Sequence, residues 1–409
     1  MAVTSQHELE IVPGRRRPYL INAEREAEAR GFYDFPIVDV DSHVTDGMDM
    51  RRLARYLRNP NIARMFEKYR GVDLRRVHMN WNLGDRPIAG RSKAYGVWDD
   101  LPEHIPEGMP RSAARSAQFM DRTGIDYLVS FPTITLTLGV NPQPEMETEV
   151  AGALNRWLLE EVVPWDERIL VMPTLPVSDP DASVEAVLDL ADRRNVVGWM
   201  IAAARSEPLH LRRYLRLWSA IEEVGKPVAF HTAPNWKERP FEVMGRFFPA
   251  HGLGFSFYSM VQMTNLVLSG IVERFPGIRW IFIESGQSWV PFMMARLDQQ
   301  YRMRSSEAPL LRRLPSEYIR EMYFTTQPFE DHTLEPEVGR AIFDLTNGPR
   351  SWLYASDYPH HDFDLPGMIW SLPYLSQAEK RAVLGENALR LFGLPAATPT
   401  RERRMAAGR

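Results

Sequence analysis

The residues of this chain whose types and spacing suit chemistry sit at the ends of apolar runs. FPIVDVDSH (35–43) closes on Asp39, Asp41 and His43. PVAFHTA (227–233) carries His231, IRWIFIES (278–285) carries Glu284, and SWLYASDYP (351–359) carries Asp357, with His360 directly after it. A charged side chain in a buried strand is costly unless it is paired or bound to a metal. Strict alternation along the first run puts Asp39, Asp41 and His43 on one side, with Val38 and Val40 on the other. Two histidines and at least two carboxylates can then converge from four strand ends. Imidazole nitrogen with carboxylate oxygen suits a divalent metal, Zn, Mn or Fe, as one or two ions.

Each fragment taken singly has a plainer reading. Asp-Ser-His at a strand end serves as a cap or turn, His231 as a hydrogen-bonded core histidine, and Ser-Asp-Tyr-Pro as an Asx turn. The recurrence of such residues at the same end of several strands is what favours a metal site.

Composition narrows the chemistry. The 409 residues include no cysteine, which excludes disulfides, thiolate zinc sites, iron–sulfur clusters and a cysteine nucleophile. Any transition metal must rest on carboxylates and the 10 histidines. With 49 basic and 53 acidic side chains the net charge is −4, so no global basic field recruits nucleic acid. The start, MAVTSQHELEIVPG, lacks the pattern of a signal peptide. No segment approaches the ~18 uninterrupted apolar residues of a membrane span. The expectation is a cytoplasmic protein with no nucleic-acid or membrane partner.

The elements that must position these residues are legible as a repeat. Besides the four runs above, DYLVSFPT (126–133), RILVMPTLP (168–176), VVGWMIA (196–202) and MYFTTQP (322–328) are short, nearly continuous apolar runs. That is the text of parallel strands buried on both faces. Helical spacing marks 147–163, 183–194 and 215–225 between them. Alternation of strand and helix gives an α/β fold, and eight units give a (β/α)8 TIM barrel, with a doubly wound open sheet as the alternative. In a barrel, active-site residues stand at the C-terminal ends of strands, where all four sites fall. Residues 46–125 form a long lid-like insertion after the first strand, and 234–276 a second excursion. The body then spans 35–394, between an N-terminal arm (1–34) and a C-terminal tail (395–409) whose basic residues read as solvated.

The chain resembles the amidohydrolase-related family, in the branch that includes aminocarboxymuconate semialdehyde decarboxylase and resorcylate decarboxylase. The resemblance covers about 36–394. It rests on VDVDSHV, AFHTAP, ERFPGIRWIFIESGQSWVPFMMARLD, MYFTTQP, YASDYPHHD and GENALRLFGL. It implies that the family's first-strand metal pair falls on Asp41 and His43, its fifth-strand ligand on His231 and its eighth-strand carboxylate on Asp357. Many members place a proton-moving histidine at the end of strand six. Here Glu284 stands there, as general acid/base or as a further metal ligand. His360 is a second candidate proton carrier. His251 is a third, for which a structural role fits better. Asp39 reads as a metal neighbour or as the partner of a buried arginine, Glu149 as a helix-dipole partner, and the Trp and Phe of 289–292 as core.

The resemblance implies a metal-dependent lyase or hydrolase, such as a decarboxylase, acting on a small carboxylate-bearing substrate. Glu284, His360 and Asp357 would be its catalytic residues. The carboxylate-rich ligand set leaves an alternative, an Fe- or Mn-dependent oxygen-activating monooxygenase; SDYPHHDFD and TTQP resemble such a branch of the superfamily. A third reading is a non-catalytic subunit partnering an active relative. The assembly expected is a homodimer or a hetero-oligomer with a related subunit.

Overall fold

Each of the eight apolar runs carries a parallel strand. In the computed structural model they are β1 (Val38–Val44), β2 (Tyr127–Pro132), β3 (Ile169–Val171), β4 (Trp199–Ala202), β5 (Val228–His231), β6 (Trp280–Ile283), β7 (Tyr323–Thr325) and β8 (Trp352–Leu353). The structure describes residues 19–44, 50–68, 101–141, 143–205, 207–233, 241, 244, 247–329, 334–360 and 362–408. Much of the text expected to form a lid, residues 69–100, lies outside them. So do residues 1–18 and most of 234–246.

The strands form two parallel sheets, β1-β2-β3 and β4-β5-β6-β7-β8, in sequence order. Isolated parallel bridges link Val171 to Val196 and Thr174 to Met200 at one seam, and Ser42 to Tyr358 at the other. The second seam is reinforced where Val40 N–H donates to Tyr354 O at 2.9 Å and His43 N–H to Tyr358 O at 2.8 Å. This is an α/β architecture with consecutive parallel strands.

The runs are apolar throughout because both strand faces are buried. Val38, Val40, Val129, Met200, Ile281 and Leu353 pack together on one side of the strands. Leu128, Trp199, Phe230, Phe282 and Trp352 pack on the other, in the cluster that also holds residues of the surrounding helices.

Those helices begin where local chemistry favours them. Helix α1 spans Tyr19–Arg30, α2 Met50–Ala54, α3 Pro60–Lys68 and α4 Arg111–Thr123. Helix α5 (Pro144–Trp157) starts with proline and carries Glu145 and Glu147 in its first turn, both suited to a helix N-terminus. It ends at Trp157 in a wider turn, Leu158–Val162, where periodicity alone expected helix to 163. Glu149 does not serve the N-terminus of its own helix. Its Oε2 accepts from the backbone N–H of Arg58 (2.8 Å) and Asn59 (3.0 Å), just ahead of α3. Helices α6 (Pro180–Leu190), α7 (Leu215–Val224) and α8 (Phe247–Leu268) follow.

Two expectations need correction. Trp289 and Phe292 are not a common core pair. Trp289 is buried just before α9 (Val290–Arg304), whereas Phe292 is 61% exposed. The terminal segments also hold more structure than a solvated arm and tail. Helix α10 (Pro399–Ala406) returns Thr400 to the strand floor, where its N–H donates to Asp126 Oδ1 at 3.0 Å. Arg404 of α10 reaches Glu24 at 2.6 Å and Glu28 at 2.7 Å on α1. Basic residues read as solvated are thus partly committed to pairing one terminus with the other.

Candidate metal centre

Strand β1 delivers its two site residues through a bulge. Its register on β2 runs from Asp39 opposite Leu128 to Ser42 opposite Ser130, so β1 carries one extra residue. An inserted residue breaks alternation and re-aims the side chains beyond it. Asp41 and His43 accordingly face His231, while Asp39 turns away from them. This overturns the expected common parity of 39, 41 and 43. Asp39 stands outside the clusters of metal-ligand type and has no arginine partner among the described residues. It accepts from Ser356 N–H (2.9 Å), Ser356 Oγ (2.5 Å) and Asp41 N–H (3.1 Å), tying β1 to the segment after β8. Burial, working against those hydrogen bonds, pushes its carboxyl up to about 8.

The other site residues come from the ends of β5, β6 and β8. His231 closes β5, with its Nε2 3.1 Å from Asp41 Oδ1 and its Nδ1 3.4 Å from Glu284 Oε2. Glu284 follows β6 directly and Asp357 stands shortly after β8. Both have φ in the left-handed region, 58° and 59°, which side-chain-bearing residues rarely adopt. Hydrogen bonds hold these backbones: Thr325 Oγ1 accepts from Glu284 N–H (3.0 Å), Thr232 Oγ1 donates to Glu284 O (2.9 Å), and Asp357 N–H donates to Asp41 O (2.8 Å). Non-glycine residues in such conformations persist where surrounding structure over-determines them, and they concentrate at functional sites.

Asp357 gathers two imidazoles. Its Oδ1 lies 3.0 Å from His43 Nε2 and 2.7 Å from His360 Nδ1. Asp41 Oδ1 stands 3.3 Å from His43 Nε2. The structure therefore brings Asp41, His43, His231, Glu284, Asp357 and His360 together. Asp41, His43, His231 and Glu284 form one buried set of metal-ligand type, and His43, Asp357 and His360 an overlapping second. His251 stands apart, with its Nε2 3.4 Å from Asp362. One neighbour escaped the sequence reading. Thr133 Oγ1 lies 3.2 Å from both His43 Nδ1 and His360 Nε2. Its signal was present, since Thr133 closes the second apolar run as the site residues close theirs.

The electrostatics ask for positive charge. Asp41 Oδ2, His43 Nε2, His231 Nδ1, Glu284 Oε2 and Asp357 Oδ2 are buried without a hydrogen-bond partner among the described residues. Buried polar atoms are nearly always satisfied, so several converging on one place suit a bound ion. Burial disfavours a charged Asp41, but the charges of His231 and His43, with the hydrogen bond from His231, outweigh it and hold the carboxyl well below the usual range. Burial likewise disfavours a charged His43, and the facing carboxylates of Asp357 and Asp41 overcome it, raising the imidazole to about 9. Glu284 is pushed well above the carboxylate range by burial and by the charges of Asp357 and Asp41. Bound protons here occupy the role a divalent cation would take, and metal binding would displace them. The residues thus fit a metal held by nitrogen and oxygen.

Comparison with known proteins places the chain in a family. Residues 38–394 match the family model described as Amidohydrolase. The chain is 24% identical over 296 residues to gamma-resorcylate decarboxylase of Rhizobium sp. (strain MTP-10005), covering 68% of this chain and 86% of that one. Crystalline 5-carboxyvanillate decarboxylase from Sphingomonas paucimobilis superposes with a TM-score of 0.60 at 20% identity, over 88% of this chain and 100% of the other. Dihydroxybenzoic acid decarboxylase from Polaromonas sp. JS666, solved with bound manganese and the inhibitor 2-nitroresorcinol, gives 0.61 at 16% identity, over 89% and 98%. These structural likenesses establish the shared fold.

Proposed function

The chain belongs to the amidohydrolase family, and from that membership we propose that it is a metal-dependent decarboxylase of a small aromatic carboxylic acid. On this reading the eight parallel strands and their two bridged seams close as a (β/α)8 barrel, with the site at its C-terminal mouth. One observation carries the proposal: imidazole and carboxylate groups from four strand ends converge, buried, with unpartnered atoms on Asp41, His43, His231, Glu284 and Asp357. The decarboxylase relatives and the manganese in the Polaromonas structure support it.

Asp41, His43, His231 and Asp357 would hold the divalent ion, whose Lewis acidity, when bound, serves to grip a substrate carboxylate and an adjacent hydroxyl. Burial and the charges of Asp357 and Asp41 push Glu284 toward its protonated form, the form a general acid needs. Glu284 delivers its proton to the ring carbon bearing the carboxylate. The carbon–carboxylate bond then breaks, its electron pair restores the aromatic ring, and carbon dioxide leaves. Phe131 stands against His231 at 4.9 Å between ring centroids, an apolar wall that helps to exclude water. His360 steadies Asp357 through their 2.7 Å hydrogen bond.

The test combines metal analysis of protein purified without added metal with carbon dioxide release from a panel of hydroxybenzoates, 2,6-dihydroxybenzoate included. The expected result is about one equivalent of Zn or Mn per chain and turnover of at least one panel member. Oxygen uptake coupled to product formation, with about two equivalents of Fe or Mn, would overturn the decarboxylase in favour of oxygen-activating chemistry.

A further inference from the structure

We propose that Thr133 is a positioning residue whose single hydroxyl sets the ring hydrogens of both His43 and His360. The parallel register places it there: His43 pairs with Phe131 and Val44 with Pro132, so the residue that follows β2 arrives beside the His43 ring. From that place Thr133 Oγ1 reaches His43 Nδ1 and His360 Nε2, each at 3.2 Å. Asp357 Oδ1 meets the opposite nitrogens of the same rings, His43 Nε2 at 3.0 Å and His360 Nδ1 at 2.7 Å. The rings lie face to face, centroids 4.1 Å apart and tilted by 30°. Threonine clamps one end of this pair and aspartate the other, closing a circuit Asp357–His360–Thr133–His43–Asp357.

A neutral imidazole has one N–H and one acceptor nitrogen, and a hydroxyl has one hydrogen to donate. The circuit therefore has two senses. The inference rests on the metal reading above, in which His43 offers the Nε2 lone pair. Its hydrogen then sits on Nδ1 and donates to Thr133 Oγ1. The threonine hydrogen is directed at His360 Nε2, which accepts it. The His360 hydrogen sits on Nδ1 and donates to Asp357 Oδ1, keeping Asp357 an acceptor with Oδ2 free. The opposite sense places a hydrogen on His43 Nε2 and blocks the ligand atom. Thr133 thus couples the His43 tautomer to the state of Asp357 through a residue that need not itself touch the ion.

Thr133→Val removes the hydroxyl at nearly constant volume, and Thr133→Ser keeps it; Thr133→Ala runs alongside in case the added methyl disturbs folding. In competition with a zinc chelator, the Val and Ala variants should lose about 10–100-fold in Zn affinity, the range for losing a partner of a metal-bound histidine. Thr133→Ser should stay close to wild type. In zinc-loaded, 15N-histidine-labelled protein, His43 and His360 should both carry hydrogen on Nδ1 in the wild type, and His360 should lose that preference in Thr133→Val. Wild-type zinc retention with unchanged affinity and nitrogen spectra in the Val and Ala variants would overturn this inference alone. A wild type that binds no zinc would overturn the metal reading, and this inference with it.

Discussion

The two ends of the parallel strands treat buried charge in opposite ways. At the N-terminal end, Arg168 is almost fully buried and all three of its guanidinium nitrogens are engaged. It donates to Asp166 from Nε (3.0 Å) and from one terminal nitrogen (2.7 Å), and from the other to Asp121 (2.7 Å) and Thr400 (2.8 Å). Nearby Asp126 accepts from the backbone N–H of Ile37 (3.1 Å) and Thr400 (3.0 Å). At the C-terminal end the buried groups are as numerous, yet five of their atoms face one another unpartnered. A completed polar network fixes structure, whereas an incomplete one is destabilising until something arrives to complete it. The floor holds the molecule together, and the mouth keeps bonding capacity in reserve.

The comparison breaks if the mouth proves as structural as the floor. The largest effect is expected from His231→Ala: metal should be lost and decarboxylation fall to background in protein that is still folded. Chelating the metal from wild type should lower its unfolding temperature, because a ligand that binds only the folded state stabilises it, and the same treatment should leave His231→Ala unmoved.

Next comes Glu284→Gln, which should cost about 10²–10⁴ in kcat with metal retained, as expected for removal of a general acid. The pH profile supplies the sign. Glu284 acts in its protonated form and its pKa lies above the carboxylate range, so the wild-type rate should fall as pH rises through that value. The Gln variant should lack this limb. Metal loss in Glu284→Gln would instead make the residue a ligand.

At the floor the readout reverses. Arg168→Met takes from buried Asp166 its close cation, leaving only Arg403 at 3.7 Å, and should cost about 3 kcal/mol in urea unfolding. Metal content of the folded fraction should stay the same. The smallest effect belongs to Thr400→Ala, which removes one hydroxyl shared by Arg168 and Ile125 O and should cost about 1 kcal/mol.

Much of this contrast was legible before any coordinates. The eight strands announced themselves because burial on both faces leaves runs such as VAF and WIFI without a polar residue. The mouth announced itself because His231, Glu284 and Asp357 interrupt that text at the same end of their strands. What stayed hidden depends on contacts distant in sequence or on single dihedral angles. The bulge in β1 has no letter of its own, and it inverted the reading of Asp39. Thr133 became part of the site only because the register of β1 on β2 sets it beside His43. The docking of α10 follows from Thr400, Arg401 and Arg404 finding Asp126, Asp34 and Glu24, pairings that no local pattern encodes.

The left-handed backbone at Glu284 and Asp357 carries a lesson for anyone redesigning this protein. At both positions glycine is the residue that the main chain itself prefers, and substituting it would relieve strain of order 1–3 kcal/mol. A stability optimiser that scores backbone preference would write glycine at 284 and 357, harden the protein against heat, and remove two carboxylates of the proposed metal centre.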